Sequence, residues 1–331
     1  SNPANPVIHM RSFGESKYDV ADKAIQYTLG LQNQGIIAVA KHFPGHGDTY
    51  LDSHLELPKV EHSRRRINRV DLYPFERVFN SGIAATMSAH LNVPAFMGSD
   101  QGPASLSKKV TTKLLRRGLD FEGLVFSDAL NMKAVTKHVA ESEIDIEAFK
   151  AGNDILLFPA TIEKSIEKIK LAICKGEISE TLLNQKVLRI LQAKYWIKKN
   201  RTKNDSVLTA SVLNDSLNAK NYELINYQIA EQCGTQLNKV QSADFKNLHD
   251  TLLLVVVKNS SNNILSQTLN KYAPVKTISV DSFNTLRNPK RFKKVVVALY
   301  NANPYKVSSN FNYDKKIHIF PNECSMASYR K

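Results

Sequence analysis

The sequence predicts an α/β protein in which strands and helices alternate around a parallel sheet. Short apolar runs of strand length recur through the first half of the chain, and three of the four begin with a glycine that marks a turn. Segments with helical periodicity separate these runs, as in successive strand–helix units. The four runs are GIIAVA at 35–40, GIAATMSA at 82–89, GLVFSD at 123–128 and DILLFPA at 154–160.

Polar side chains stand at the ends of three of these runs. Lys41 and His42 follow the first, His90 follows the second and Asp128 ends the third. Parallel α/β folds, above all (βα)₈ TIM barrels, build their active sites at the carboxyl ends of strands. Because about eight units close such a barrel, the four units predict its C-terminal half. On this expectation the chain is a fragment, or lacks residues of the natural protein, or is completed by another chain.

The segments between the runs predict helices. ESEIDIEAFKAG places Ile144, Ile146 and Phe149 opposite a glutamate-rich face, and Gly152 is a C-terminal stop. RRINRVDLYPFERVFNSG and SKKVTTKLLRRGL show the same periodicity, and TLLNQKVLRILQAKYWIKKN predicts a longer amphipathic helix.

The pattern changes after residue 200, so we predict two domains. Residues 1–200 form the barrel portion with the candidate catalytic residues, residues 201–210 form a polar linker, and residues 211–331 form a smaller α/β domain. The helical segment NAKNYELINYQIAEQCG and the runs TLLLVVV, VKTISV, KVVVALY and KIHIF define the second domain. No acidic or histidine cluster follows these runs, which predicts a structural or substrate-rimming role.

The composition excludes several classes of protein. The 331 residues carry a net charge of +14, but basic stretches such as RFKK border apolar strands instead of forming a stripe with aromatic residues. We therefore predict no nucleic-acid partner, although attraction to an anionic cell-wall polymer stays open. No apolar stretch reaches the length of a transmembrane segment. The three widely spaced cysteines argue against a disulfide framework or a zinc ribbon.

The segment KHFPGHGDTYLDSH at 41–54 holds the densest group of ionisable residues. Asp52 and His54 project to the same side of an extended chain, so the carboxylate can orient the imidazole. A histidine paired in this way can donate a proton and later take one back. The intervening GHGDTYL has two glycines and no regular period, which predicts a mobile loop.

Asp128 is a candidate nucleophile toward an electrophilic carbon, because it ends a strongly apolar strand. The alternative is an N-cap aspartate that opens a helix near Ala129. Lys41 offers three donors for substrate hydroxyls, whereas His42 taken alone is typical of a hydrogen-bonded core histidine.

A different interpretation makes the histidine cluster a metal site. Zinc accepts these residue types, but neither an H-x-H nor an H-E-x-x-H spacing occurs. Metal-free hydrolysis is favoured, and no metal or organic cofactor is predicted. The candidate metal ligands are His42, His46, Asp48, Asp52 and His54.

KHFPGHGDTYLDSH, MSAHLNVPA and GLVFSDALNMKAV, in this order, resemble the β-N-acetylglucosaminidase branch of glycoside hydrolase family 3. The resemblance extends from about Asn2 to about Asn200. It implies a (βα)₈ barrel with Asp128 as the nucleophile and His54, paired with Asp52, as the acid/base. The substrate-binding residues that it implies are Arg11 in NPVIHMRSFG, Lys41 and His42, and we add His46 and His90 to this predicted set.

The resemblance implies a retaining exo-β-N-acetylglucosaminidase that acts through a covalent glycosyl-aspartate. Because half of the barrel is missing, the other alternative is a non-catalytic carbohydrate-binding remnant. Its carbohydrate substrate would be a terminal N-acetylglucosamine of peptidoglycan-derived or related glycans, and no cofactor would take part. The second domain resembles the α/β sandwich that follows the barrel in many larger members, and further N- or C-terminal domains are expected. Because larger relatives are often exported or lipid-anchored, a periplasmic or cell-envelope location is favoured over the cytoplasm, although this sequence has no signal.

Overall fold

The structure is a computed structural model. It divides into two compact units, Ser1–Asp205 and Ser206–Lys331. Each unit contains a parallel sheet with helices, which confirms the predicted α/β class. The described residues are 1–2, 5–8, 11–51, 56–200, 209–232, 252–257, 264–271, 273–279, 295–300 and 317–322.

Three of the predicted strands form the sheet of the first unit. All neighbours in this sheet pair in parallel, in the order β1-β2-β3 along the sheet. Their carboxyl ends therefore lie along one edge, as the sequence pattern predicts. The strands are β1 (Val39–Phe43), β2 (Ala85–Ser88) and β3 (Leu124–Ser127).

Two of the predicted strands differ from their predicted form. Residues 35–38 do not belong to β1, because Gly35 has a φ of +75° in a turn and Ile36 is exposed. In the run 154–160 the pairing is limited to one isolated bridge, between Ile155 and Phe126. The backbone then leaves the strand direction at Phe158, which has a φ of +50°.

Helices cover the sheet of the first unit. The helix predicted in ESEIDIEAFKAG is confirmed, and it ends at Gly152 with a φ of +124°, a conformation that favours glycine. Two predicted helical segments contain π-helical turns, at Ile67–Asp71 and Lys109–Gly118, and Ala104–Leu106 is a 3₁₀ turn. The α-helices are α1 (Lys17–Gln32), α2 (Arg64–Arg66), α3 (Tyr73–Asn80), α4 (Pro94–Met97), α5 (Lys133–Thr136), α6 (Glu141–Ala151), α7 (Ile162–Cys174) and α8 (Glu180–Asn200).

The main core lies between β1 and the helices. Phe43 is fully buried, and its ring centroid lies 5.3 Å from that of Phe75 in an edge-to-face pair. The rings of Phe79 and Phe121 lie 4.4 Å apart in the same core. Aromatic pairs at these distances contribute on the order of 1 kcal/mol each beyond their buried area. This packing fixes the position of β1 in the core.

A buried carboxylate fastens the segment after α6 to β3. Asp154 Oδ2 accepts from Arg116 Nη2 at 2.5 Å and from the backbone N–H of Val125 at 2.9 Å, and Oδ1 accepts from Arg189 at 3.1 Å. The side chain of Asp154 has no exposed surface. Loss of either arginine would leave a buried charge less well paired, which makes this cluster a strong local constraint.

The second unit has its own four-stranded parallel sheet, with the order β5-β4-β6-β7. Leu252 and Leu254 of β4 are buried against Leu265 and Leu269 of α11. Among the described residues, no helix combines the length and the apolar character needed to cross a membrane. The elements are α9 (Ala210–Leu217), α10 (Lys220–Gln232), β4 (Leu252–Val257), α11 (Ile264–Asn270), β5 (Val275–Ser279), β6 (Val295–Tyr300) and β7 (Ile317–Asn322).

Candidate active site

The carboxyl ends of β1, β2 and β3 bring the predicted residues of the first unit together. Backbone hydrogen bonds continue beyond the strands: Ala89 N donates to Phe43 O at 2.8 Å and Asp128 N donates to Ser88 O at 2.9 Å. These bonds hold the chain segments that follow the strands in register. Residues that are far apart in sequence therefore share one edge of the sheet.

Asp128 and His42 form the centre of the described site. His42 Nε2 lies 4.0 Å from Asp128 Oδ2, and the side chains are 10% and 16% exposed. Asp128 Oδ1 accepts from the N–H of Ala129 at 2.9 Å. The next helix, α5, begins at Lys133, so the alternative interpretation of Asp128 as a helix N-cap is wrong. Its carboxylate reaches the edge of the sheet and retains some exposure.

His42 is held in its neutral form. Burial lowers its pKa to about 3; the charge of Asp128 opposes this shift, while Lys41, His46 and Arg11 reinforce it. An imidazole with this pKa cannot serve as a general acid near neutral pH. It can still donate or accept one hydrogen bond at each ring nitrogen.

The free energy of unfolding is expected to decrease as the pH falls below 6.5, the pKa of an ordinary histidine. Because the pKa of His42 is about 3 when folded and 6.5 otherwise, the unfolded chain binds the proton first between these values. Between these two values, His42 lowers the free energy of unfolding by up to about 1.4 kcal/mol for each pH unit of acidification. Melting temperatures at about pH 7 and about pH 4.5 should differ more in the native protein than in His42→Gln. Equal differences would contradict the buried, neutral histidine.

Two cationic side chains, Arg11 and Lys41, act on this centre. Both are exposed, and both positive charges act on His42. The backbone N–H of Arg11 donates to Ile8 O at 2.6 Å. Their placement leaves two cationic heads available to hydroxyl or carbonyl oxygens of a bound molecule.

The segment after β1 is held from both sides as far as Thr49. Asp48 accepts from Asn2 Nδ2 at 2.8 Å and from His62 Nε2 at 2.7 Å, and Arg66 lies 3.7 Å away. Partial burial opposes the shift, but these hydrogen bonds and charges keep the pKa of Asp48 below its ordinary value. These contacts tie Asp48 to neighbouring segments, and the mobility of the loop stays a prediction.

His46 and Gly45 belong to the same fixed part. His46 is 4% exposed, and its Nδ1 lies 2.7 Å from the hydroxyl of Thr49. Its ring centroid lies 5.7 Å from that of His42, in an edge-to-face contact. Gly45 has a φ of +135°, and a Cβ there would lie 3.0 Å from the Cβ of Asp71. This glycine permits a close approach of the backbone to Asp71.

His90 has protein partners at both ring nitrogens. Its Nε2 lies 2.9 Å from Ala129 O, which can only accept, so Nε2 carries the proton and Nδ1 accepts from the hydroxyl of Ser105 at 2.7 Å. His90 is 1% exposed, and burial lowers its pKa. The geometry favours a positioning role for His90 in place of the predicted substrate contact.

The sequence-based search missed three fully buried polar residues beneath this edge, namely Ser88, Ser105 and Asn153. Each has no measurable exposure, and hydrogen bonds join them to one another. A polar residue within an apolar run, such as Ser88 in GIAATMSA, was the available signal, because a buried hydroxyl must find partners.

Asp52 and His54, the predicted acid/base pair, lie outside the described residues. Two of the five candidate metal ligands are therefore not described. Within the described part of the chain, no three His, Cys, Asp or Glu side chains form a group that could hold a metal ion.

A family comparison decides the ancestry of the first unit. The family model of the glycosyl hydrolase family 3 N terminal domain matches residues 1–193, more than half of the chain. The chain belongs to glycosyl hydrolase family 3. The domain of this family has a TIM-barrel-like α/β fold, so the parallel sheet around Asp128 belongs to that fold. The family resemblance predicted from the three motifs is thereby confirmed.

Named relatives of this family 3 chain are β-hexosaminidases. The chain is 31% identical over 288 residues to beta-hexosaminidase A of Pseudoalteromonas piscicida, which covers 82% of this chain and 48% of the relative. It is 34% identical over 203 residues to beta-hexosaminidase LpqI of Mycobacterium tuberculosis, covering 58% of this chain and 50% of the relative. The chain thus spans about half the length of these relatives.

A solved structure agrees with the family assignment. The family 3 beta-N-acetylglucosaminidase from Paenibacillus sp. str. FPU-7 superimposes with a TM-score of 0.74 and 29% identity. The match covers 96% of this chain and 64% of that chain.

Proposed function

We propose that the protein is a retaining exo-β-N-acetylglucosaminidase with Asp128 as its nucleophile. The observation that carries the proposal is the position of Asp128, whose carboxylate ends a buried strand 4.0 Å from a neutral His42. The carboxylate does not cap α5, and the two cations that act on His42, Arg11 and Lys41, are exposed. Family membership supports the reaction class, glycoside hydrolysis.

In the proposed first step, Asp128 Oδ2 attacks the anomeric carbon from the face opposite the leaving group. The bond from this carbon to the glycosidic oxygen breaks, and its electron pair stays with that oxygen. Protonated His54 gives its proton to the same oxygen, so the aglycone leaves as a neutral alcohol. Asp52 orients the imidazole of His54 and stabilises its cation.

In the proposed second step, neutral His54 takes a proton from water, and the water oxygen attacks the anomeric carbon. The carbon–Asp128 bond breaks and its electron pair returns to the carboxylate. Two displacements on the same carbon leave its configuration unchanged. Most retaining glycosidases use two carboxylates, and here a His–Asp pair would replace one of them.

The proposed substrate contacts come from Arg11, Lys41 and His42. The two cations would donate to hydroxyl or carbonyl oxygens of the sugar, and neutral His42 would donate one hydrogen bond without competing for the catalytic proton. His42 and His90 are neutral near pH 7, which supports His54 as the proton carrier.

The proposed sugar is a terminal N-acetylglucosamine of peptidoglycan-derived or related glycans. Its support is the name of the Paenibacillus structure and the β-hexosaminidase names of the other relatives. Residues 1–200 would carry the chemistry, and residues 211–331 would have a structural role.

Proton NMR of the first-formed product tests this function. The full-length gene product is incubated with an aryl N-acetyl-β-glucosaminide, and the anomer is read before mutarotation. The β-anomer of N-acetylglucosamine is expected, with the same rate in the presence of a chelator. The α-anomer, or no release at all, would contradict the proposal, and loss of activity on chelation would favour the metal-dependent alternative.

A further inference from the structure

A closed chain of buried hydrogen bonds runs beneath Asp128. Asn153 is its centre: its Nδ2 donates to Ser105 O and to Ala148 O, both at 2.7 Å, and its Oδ1 accepts from the hydroxyl of Ser88 at 2.6 Å. Because both amide hydrogens point at carbonyl oxygens, the amide has one allowed orientation. Its Oδ1 is thereby directed at Ser88.

Two arms of this chain reach the nucleophile. In the first, Ser88 O accepts the backbone N–H of Asp128 at 2.9 Å. In the second, Ser105 donates to His90, and His90 donates to Ala129 O, the residue whose N–H holds Asp128 Oδ1. The chain thus fixes the backbone on both sides of the Asp128 side chain.

We infer that Asn153 is a positioning residue which, through Ser88 on one arm and Ser105 with His90 on the other, sets the orientation of the Asp128 carboxylate. This inference rests on the proposed function. Asn153, Ser88 and Ser105 have no exposed surface, so they act through Asp128 and touch no substrate.

The side chains that form the hydrogen-bond chain beneath Asp128 are uncharged. His90 is neutral, and the other three side chains are amides or hydroxyls. The hydrogen-bond chain therefore holds the nucleophile in place without bringing a cation to its carboxylate. A cation paired with the carboxylate would weaken its attack on carbon. A misplacement of about 1 Å at a reacting group can cost about 100-fold in rate, so loosening either arm should reduce kcat.

The matched pair Ser88→Ala and Thr86→Val tests the inference in the full-length protein. Both residues are buried hydroxyls of β2, but Thr86 donates to Ala40 O at 2.9 Å and lies outside the chain of bonds. Assayed with an aryl N-acetyl-β-glucosaminide, Ser88→Ala should lose about 10- to 100-fold in kcat with little change in KM. Thr86→Val should keep its kcat. Equal losses in both variants, or none in Ser88→Ala, would overturn the inference.

Hydrogen exchange at the backbone amide of Asp128 supplies a readout independent of activity. Exchange should be faster in Ser88→Ala than in Thr86→Val, and equal rates would overturn the inference. If the native protein releases no aryl alcohol, the proposed function fails and the exchange rates alone decide the positioning role.

A second pair keeps the inference testable if Ser88→Ala does not fold. His90→Gln retains a donor for Ala129 O, whereas His90→Leu retains none. The glutamine variant should keep the larger kcat at similar KM. Equal kcat values in these two variants would count against the second arm.

Discussion

Replacement of Asp128 by asparagine is expected to lower kcat by about 10⁴-fold or more, because the variant has no carboxylate to form the glycosyl-enzyme. The amide keeps the size of the side chain and an oxygen for the N–H of Ala129, so the fold should persist. Steady-state kinetics with an aryl N-acetyl-β-glucosaminide, together with a thermal melt, measures both effects. The melting temperature should stay near that of the native protein.

Asp120→Asn is the matched control for this variant. Asp120 is an exposed aspartate that precedes β3, whereas Asp128 follows this strand. The φ of +54° at Asp120 suits asparagine. The kcat of Asp120→Asn should be unchanged.

Azide rescue provides a further test of the nucleophile. With Asp128→Ala, added azide should attack from the vacated face and give the α-glycosyl azide. Substantial turnover by Asp128→Asn would show that another group is the nucleophile.

His54→Ala should have the second-largest effect, a loss of about 10²- to 10⁴-fold for substrates with a poor leaving group. An activated aryl leaving group needs little protonation, so its release should be affected far less. The second step then lacks its base, and a burst of aryl alcohol should precede slow turnover. Pre-steady-state kinetics with two aryl glycosides of different leaving-group acidity measures the difference.

Azide and a control variant distinguish this role from a structural one. Azide needs no general base, so it should accelerate turnover of His54→Ala and give the β-glycosyl azide. His138→Ala is the same substitution at an exposed histidine and should behave as the native protein. An equal loss for good and poor leaving groups would exclude His54 as the general acid.

The sequence predicted the sheet better than the exact strand limits. Apolar runs and glycine signals located β2, β3 and α6, because most residues of these elements are buried. The run at 154–160 was misjudged as a full strand, because its backbone leaves the strand direction at Phe158 although Asp154 fastens its start to β3 and to two arginines. Such side-chain anchors come from Arg116 and Arg189, which local pattern does not connect to this run.

Within the site, the position of Asp128 could be predicted, but the roles of its neighbours could not. A carboxylate after an apolar strand has few structural uses, so its placement at the sheet edge followed from the pattern. The partner of His90, by contrast, is the carbonyl of Ala129, which has no side-chain signature in the sequence. The roles of Gly45 and Asn153 also depend on contacts with distant segments.

The most direct test of the account is covalent trapping of the nucleophile. The full-length protein is treated with a 5-fluoro glycosyl fluoride of N-acetylglucosamine, digested, and examined by peptide mass spectrometry. The account predicts one sugar adduct per protein, attached to Asp128 and absent from Asp128→Asn. An adduct on a different residue, or rapid turnover of the native protein by attack of the sugar's own acetamido group with no adduct, would contradict it.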